Sequence, residues 1–221
     1  MIFFVGNSHA AQHLRDGAKK RGLHVVAEAS IAHVIFISED TPTNEAGVRD
    51  LEPIRKLVDK FAPIGVQLVL TSQVPPGFTR SLGIENIFHQ AETLRIIDAE
   101  HRAFHPEYIA VGGEAKIGAH YANYLAAFHC PVLRMTWEDA EFSKIAVNMT
   151  LASQVDNANR LAAVAEKVGA KWDVVCEALR RDSRIGERSY LKPGRWQDSK
   201  HLLRDSVTLE ELEGQCTSRI I

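Results

Sequence analysis

The sequence has few cysteines, no excess of charge of either sign and no long apolar run. Its three cysteines, Cys130, Cys176 and Cys216, are odd in number and lack CxxC spacing, so they indicate neither a disulfide framework nor a metal site. A formal net charge of -2 gives no bias toward nucleic acid or an anionic membrane. The apolar start, residues 1–5, is too short for a signal peptide or a membrane span. We therefore expect a cytoplasmic protein that binds neither nucleic acid nor membrane.

What the sequence does have is a regular alternation of short apolar runs and helical stretches. At 221 residues and 45% hydrophobic content it can bury a full core. The apolar runs lie at residues 2–5, 33–38, 65–70, 84–89, 108–111 and 130–135, with helical stretches near 9–21, 50–61 and 114–128. This alternation predicts an α/β fold with a mostly parallel, Rossmann-like sheet that is covered on both faces.

We expect one half of this sheet to be abbreviated. Only residues 30–32 separate a run that ends at Ala29 from the next run, which begins at His33. Three residues reach about 10 Å, whereas a crossover between parallel strands takes about a dozen residues or more. The two runs therefore cannot both be parallel strands of a standard half. One is a hairpin partner, a bent continuation or no strand.

A long helix is predicted after the sheet. Residues 137–168 contain neither Pro nor Gly, and their apolar residues recur at helical spacing. Such a helix is about 48 Å long at 1.5 Å per residue, and its apolar stripe needs a partner. We expect that partner to be a second copy, which makes the protein a homodimer. A second helix over 171–181 and a short one near 206–213 should follow. The predicted parts are a Rossmann-like dinucleotide-binding domain, a helical dimerisation segment, and a loop with a C-terminal tail, at 1–135, 136–186 and 187–221.

The turn after the first apolar run is the candidate cofactor site. Gly6, Asn7 and Ser8 precede a helix, where backbone N–H groups and the helix dipole can bind a phosphate. Glu28 lies near the end of the next run, where an acidic residue would bind ribose hydroxyls. The dinucleotide fingerprint has three glycines, however, and this turn has one. Two interpretations stay open, namely ordinary NAD binding and a degenerate or emptied pocket.

The long helix carries a polar face. Glu141, Lys144 and Asn148 are spaced i, i+3 and i+7, which places them on one side of the helix. An ammonium beside an amide can bind an oxyanion or a water molecule while an alcohol is oxidised or an acyl centre is attacked. On spacing alone, a solvated Glu–Lys pair explains the same pattern.

Five motifs occur in an order that resembles a known family. They read Val-Ile-Phe-Ile-Ser-Glu-Asp-Thr-Pro-Thr at 34–43, Thr-Ser-Gln-Val-Pro-Pro-Gly-Phe-Thr at 71–79, Ala-Glu-Thr-Leu-Arg at 91–95, Ala-Glu-Phe-Ser-Lys with Asn148 at 140–148, and Asp-Ser-Arg-Ile-Gly at 182–186. In this order they are similar to motifs of the UDP-glucose and GDP-mannose dehydrogenases, which oxidise a sugar C6 alcohol to a carboxylate with two NAD. The resemblance implies a nucleotide or sugar-like substrate and NAD, and does not decide between NAD and NADP.

The resemblance also implies roles for individual residues. Lys144 and Asn148 would hold the catalytic water and the oxyanion, with Glu92 acting beside them. The residues that would bind the cofactor are Gly6, Asn7, Ser8, Glu28, Thr41, Gln73 and Arg204, and those that would bind the substrate are Glu141, Arg184, Tyr190 and Leu191.

The sequence departs from the family at the nucleophile. The family has a cysteine in Gly-Gly-Ser-Cys-Phe-Pro-Lys-Asp, and aligning Arg204 and Asp205 with the closing Lys-Asp places His201 at that cysteine. Without a thiol, oxidation of the aldehyde to the acid loses its covalent route. If the segment is helical, His201 and Asp205 at i, i+4 would form a base and its orienting carboxylate. We also expect the family's C-terminal nucleotide-binding domain to be lacking.

The sequence thus predicts a divergent NAD-dependent, nucleotide-sugar dehydrogenase-like oxidoreductase that performs at most a two-electron alcohol or aldehyde oxidation. Two alternatives stay open. One is a noncatalytic or repurposed dimer that binds a nucleotide or another ligand, and the other is different acid–base chemistry by His201 and Lys144 in the same cleft.

Overall fold

A computed structural model describes residues 1–44 and 47–217. The chain forms two compact units, Met1–Lys144 and Ile145–Ile221. The first unit contains a six-stranded sheet whose strands are Ile2–Val5 (β1), Val34–Ile37 (β2), Gln67–Leu70 (β3), Ile87–Gln90 (β4), Ile109–Gly112 (β5) and Val132–Met135 (β6). They lie in chain order, and all neighbours are parallel except β4 and β5. The expected α/β fold with a mostly parallel sheet is confirmed, and β1 to β4 all end at one edge, called here the carboxyl edge.

Helices cover both faces of this sheet. They are His9–Lys20 (α1), Glu52–Phe61 (α2), Phe78–Ser81 (α3), Ala99–Phe104 (α4), Ala119–Ala126 (α5) and the start of Trp137–Lys167 (α6). One core packs α1 and α5 on aromatic residues of the strands, including Phe36 and Phe88. The other packs α2 and Trp137 on aliphatic residues, including Ile35 and Leu68. Because β2 and β5 are buried on both faces, they appear in the sequence as continuous apolar runs.

The abbreviated half of the sheet has the form that the short spacing required. Val25 makes only an isolated parallel bridge to Ile2, and a single 3-10 turn, Ala29–Ile31, leads to β2. The bridge uses the backbone N–H and C=O of Ile2, while the His33 N–H donates to Met1 O. Residues 24–26 and β2 therefore flank β1 on opposite edges. Of the two apolar runs, only the second is a strand.

The second unit contains the rest of α6, then Trp172–Arg181 (α7) and Lys200–Thr217 (α8). The sequence predicted loop as far as residue 205, and this was wrong because α8 begins at Lys200. Ser199 explains the earlier start, since its Oγ accepts the Leu202 N–H at 3.5 Å and its carbonyl accepts the Leu203 N–H. Residues 218–221 of the expected tail lie outside the described residues. Within the described ranges, no helix has both the length and the apolar composition that crossing a membrane would require.

Candidate functional site

The turn between β1 and α1 is closed tightly against the end of β2. Gly6 has φ +116°, and a Cβ placed there would lie 2.2 Å from the carbonyl oxygen of Ser38. Only glycine fits such a position. Ser8 caps α1 because its Oγ accepts the Ala11 N–H at 3.1 Å and also donates to Ser38 O at 2.7 Å. The first turn of α1 is thereby held at the carboxyl edge, where a diphosphate would meet backbone N–H groups.

An acidic side chain occupies this turn. The N–H of Asn7 donates to Oε2 of Glu39 at 3.3 Å, and the Glu39 N–H donates to Ser72 Oγ at 2.9 Å. The carboxylate thus lies where a phosphate oxygen would accept the same N–H. Glu39 is half-buried and its bond to Asn7 is solvent-exposed. Binding of a diphosphate at the Asn7 N–H would therefore require the Glu39 side chain to rotate away.

Two other predicted cofactor residues of the first unit, Glu28 and Thr41, differ in exposure. Glu28 is exposed and follows the bridge at Val25, on the edge of β1 away from β2. Thr41 follows β2, is 3% exposed, and its N–H donates to Asp40 Oδ1 at 2.9 Å. Glu28 is therefore open to a ribose, whereas Thr41 is enclosed by the chain.

The structure brings Gln73 and Glu92 together where β3 and β4 end. The Gln73 side-chain amide donates to Glu92 Oε2 at 3.3 Å, and Oε1 accepts the Leu94 N–H. Beside Glu92 lies a cavity of about 30 Å³, which Thr71 and Gln90 help to line. A cavity of that size holds one or two water molecules. A carboxylate whose two oxygens are both held by hydrogen bonds thus helps to line a mostly apolar space sized for water.

Glu141 and Lys144 on α6 do not form a solvated pair. Glu141 is 1% exposed, and its two carboxylate oxygens accept the N–H groups of Gly77 at 2.6 Å and Thr79 at 2.8 Å. Burial raises the pKa of this carboxyl, although the hydrogen bonds act in the opposite direction. Lys144, one turn later, is half-buried, and its ammonium has no hydrogen bond or ion pair with residues 1–44 or 47–217.

In the second unit, Asn148 and Asp205 form a buried pair. The Asn148 amide donates to Asp205 Oδ2 at 2.6 Å, and the two residues are 8% and 1% exposed. Arg204 is also buried, with its Nε 3.6 Å from Asp205 Oδ1. His201 is exposed on the same helix, one turn before Asp205, so the helical spacing that the sequence suggested is present. The Asp205 carboxylate accepts its 2.6 Å hydrogen bond from Asn148.

The predicted substrate residues after α7 belong to a segment that α6 braces. The Arg184 guanidinium is held by Asp182 through bonds of 3.0 and 2.7 Å, and its side chain is 87% exposed. The Tyr190 N–H donates to Gln154 Oε1 at 2.9 Å, and Leu191 O accepts from the Trp172 indole at 3.0 Å.

Asn159 continues this bracing one turn further along α6. Its side chain exchanges two hydrogen bonds of 2.8 Å with the backbone of Gly194. Gln154 and Asn159 were not predicted, because polar residues on a long helix carry no signal for the segment that they bind.

The part of the chain that the structure describes contains no cluster of possible metal ligands. Among those residues, no three His, Cys, Asp or Glu side chains are grouped so that they could hold an ion.

Comparison with known proteins matches residues 138–215 to the central domain of the UDP-glucose/GDP-mannose dehydrogenase family. Over this segment the chain is similar to members of that family. It is 28% identical over 177 residues to the UDP-glucose 6-dehydrogenase TuaD of Bacillus subtilis, covering 73% of this chain and 38% of TuaD. It is also 28% identical over 194 residues to the UDP-glucose 6-dehydrogenase of Rickettsia typhi, covering 80% of this chain and 44% of that protein. The chain thus spans less than half the length of these relatives.

Solved structures agree on the fold. A UDP-glucose dehydrogenase from Pyrobaculum islandicum superposes with a TM-score of 0.75 at 22% identity, covering 98% of this chain and 59% of that one. A GDP-mannose dehydrogenase from Pseudomonas aeruginosa gives a TM-score of 0.65 at 23% identity, covering 81% and 47%. At this level of identity the likeness shows the fold alone.

Proposed function

We propose that the chain is an NAD-dependent oxidoreductase that converts the alcohol of a nucleotide sugar to the aldehyde. The observation that carries this proposal is the Lys144 ammonium, which has no partner among the described residues and lies within the matched central domain. A half-buried cation without a structural partner is suited to binding an oxygen that gains negative charge. The named activity of the relatives, UDP-glucose 6-dehydrogenase, supports the same reaction class.

The reaction breaks one C–H and one O–H bond of the alcohol, and a hydride and a proton leave. NAD, when bound, supplies the hydride acceptor. Lys144 stabilises the alcohol oxygen as it loses its proton, and Glu92 receives that proton directly or through a water in the adjacent cavity. Gln73 and the Leu94 N–H orient the Glu92 carboxylate for this role. In the second unit, Asn148 and Asp205 are the further proposed site residues.

The proposed product is the aldehyde and not the acid. His201 stands where the family resemblance places a cysteine, and the segment from 187 to 205 contains no thiol. Oxidation of an aldehyde requires a tetrahedral adduct from which hydride can leave, and a thiol forms that adduct in a covalent route. One NADH per sugar is therefore expected.

For the cofactor, the turn at Gly6, Asn7 and Ser8 would receive the diphosphate after Glu39 has rotated away, and Glu28 would bind the ribose hydroxyls. Gln73 is a further proposed cofactor residue in the first unit, whereas Thr41 and Arg204, which are 3% and 5% exposed, are enclosed by the chain. The proposed substrate contacts are Arg184, Tyr190 and Leu191.

We also propose a homodimer through residues 137–168. Along α6, Phe142, Val147, Leu161 and Val164 are each more than one-third exposed. A stripe of exposed apolar residues on a long helix is stabilised when a twofold-related copy covers it.

The test is NADH formation by the purified chain with UDP-glucose or GDP-mannose as substrate. We expect one NADH per sugar, and a fall in kcat of about a hundredfold or more for Lys144→Met, because one oxyanion-stabilising group contributes that much. Lys167→Met, at the exposed end of the same helix, is the matched control. Absence of NADH with both sugars, or equal kcat values for the wild type and Lys144→Met, would overturn the proposal.

A second candidate function is ligand binding without catalysis. The Glu39 carboxylate on the Asn7 N–H favours it, because that carboxylate competes with the cofactor diphosphate. Calorimetry with NAD separates the two candidates, since the dehydrogenase must bind NAD and a repurposed cleft need not.

A further inference from the structure

Glu141 is a buried carboxylate whose hydrogen-bond partners are backbone groups of a distant loop. This loop, residues 73–79, follows β3 and includes the first two residues of α3. Gly77 precedes α3 in a left-handed conformation, φ +87°, and its N–H and that of Thr79 both donate to Glu141. Burial of a charged group is costly unless hydrogen bonds compensate for the lost hydration. The short contacts of 2.6 and 2.8 Å supply that compensation, and they join α6 to the loop.

The same loop carries Gln73 at its other end. Gln73 directly follows the Thr71 and Ser72 pair at the end of β3, and its amide reaches Glu92 at 3.3 Å. The beginning of the loop is fixed by the strand, and its end is fixed by Glu141. Release of the second anchor would let the loop shift and lengthen the contact between Gln73 and Glu92.

We propose that Glu141 is a positioning residue that fixes the loop of residues 73–79 and thereby holds the Gln73 amide against Glu92. The effect of this anchoring on the reaction rests on the proposed function. It replaces the direct substrate contact that the sequence predicted for Glu141, because a carboxylate that is 1% exposed and bonded through both oxygens is enclosed by the chain itself.

Two variants and one control test the geometry without any assay of activity. Glu141→Gln keeps the volume but presents an NH₂ group to one of the two N–H donors, and Glu141→Asp keeps the charge in case Glu141→Gln does not fold. Glu138→Gln removes the same charge one turn earlier, where the carboxylate binds the Arg80 side chain at 2.5 Å and not the loop backbone.

The first readout is amide hydrogen exchange of Gly77 and Thr79, followed by NMR on the full chain. Exchange should be faster by about tenfold or more in Glu141→Gln, since a hydrogen bond to a charged group is worth at least that factor. Glu141→Asp should lie between it and the wild type, and Glu138→Gln should match the wild type. Unchanged exchange in Glu141→Gln, or an equal effect of Glu138→Gln, would overturn the positioning role.

The second readout is kinetic. In Glu141→Gln, kcat for NAD reduction should fall about tenfold to a hundredfold while KM changes little, because a small misplacement of an acting group has that effect. Adding Gln73→Ala should then lower kcat little further, because both changes disrupt one linkage. Fully additive losses would refute the linkage. If the wild type reduces no NAD, the proposed function fails, and the exchange experiment still decides whether Glu141 holds the loop.

Discussion

Acidification should destabilise the protein through His89. This residue lies on β4, is 2% exposed, and shares a strand face with Ile87, which belongs to the core under α2. Its Nδ1 is buried without a hydrogen-bond partner among the described residues. Burial lowers the pKa of His89 from 6.5 to about 3. The folded protein therefore holds this imidazole in its neutral form.

The sign and size of the effect follow from proton linkage. Between the two pKa values the unfolded chain binds a proton that the folded chain does not, so stability rises with pH in this window and is lost as pH falls below 6.5. Each pH unit well inside the window is worth about 1.4 kcal/mol. From about pH 7 to about pH 5 the free energy of unfolding should fall by about 2 kcal/mol on account of His89.

Urea unfolding at the two pH values, in the wild type and in His89→Leu, measures this contribution. The variant should lose about 2 kcal/mol less than the wild type over the same interval. Other groups, including Glu141 with its raised pKa and opposite sign, are present in both proteins and cancel in the difference. His24→Leu, which removes an exposed histidine, is the control. Equal losses in the wild type and His89→Leu would refute the reasoning.

Three further predictions follow from the turn at α1 and from the long helix. Glu39→Gln should raise the affinity for NAD roughly fivefold in calorimetry, because it removes a repulsion of about 1 kcal/mol between unit charges some 4 Å apart in water. An equal gain in affinity in Asp40→Asn would contradict this prediction. Gly6→Ala should lower the free energy of unfolding by roughly 2–4 kcal/mol, since its Cβ would lie 2.2 Å from a carbonyl oxygen, whereas a Cβ at Gly22 meets nothing within 4 Å. Equal free energies of unfolding for Gly6→Ala and Gly22→Ala, measured with urea, would contradict this prediction. Val164→Glu should convert the expected homodimer to monomer in sedimentation experiments, and a wild type that is itself monomeric would contradict the prediction.

The strands and the long helix were predictable because their causes are local. Strands β2 and β5 are buried along their whole length, so burial on both faces leaves a continuous apolar run in the sequence. Residues 137–168 lack the two residue types that end helices, and α6 follows that range closely. The start of α8 was missed because its signal is a single residue, Ser199, within a polar stretch.

The contacts of the site depend on distant parts of the chain and were predictable only in part. Gln73 and Glu92 follow adjacent parallel strands, so their meeting agrees with the expected sheet. The burial of Glu141 has no such signal, because its partner loop lies more than sixty residues earlier in the sequence. Helical spacing assigned Glu141, Lys144 and Asn148 to one face, but spacing alone does not tell which of them the fold encloses.

Glu141, Lys144 and Asn148 differ in whether the fold alone explains why each residue is there. Glu141 holds a loop, and Asn148 donates a hydrogen bond to the buried carboxylate of Asp205. The fold by itself therefore accounts for the chemical type of both residues. It gives no such account of Lys144, whose ammonium is half-buried, loses some hydration and gains no partner among the described residues. Removal of that charge should cost the fold little, so a large loss of turnover in Lys144→Met with unchanged stability would assign the residue to catalysis, whereas a parallel loss of stability would assign it to the scaffold.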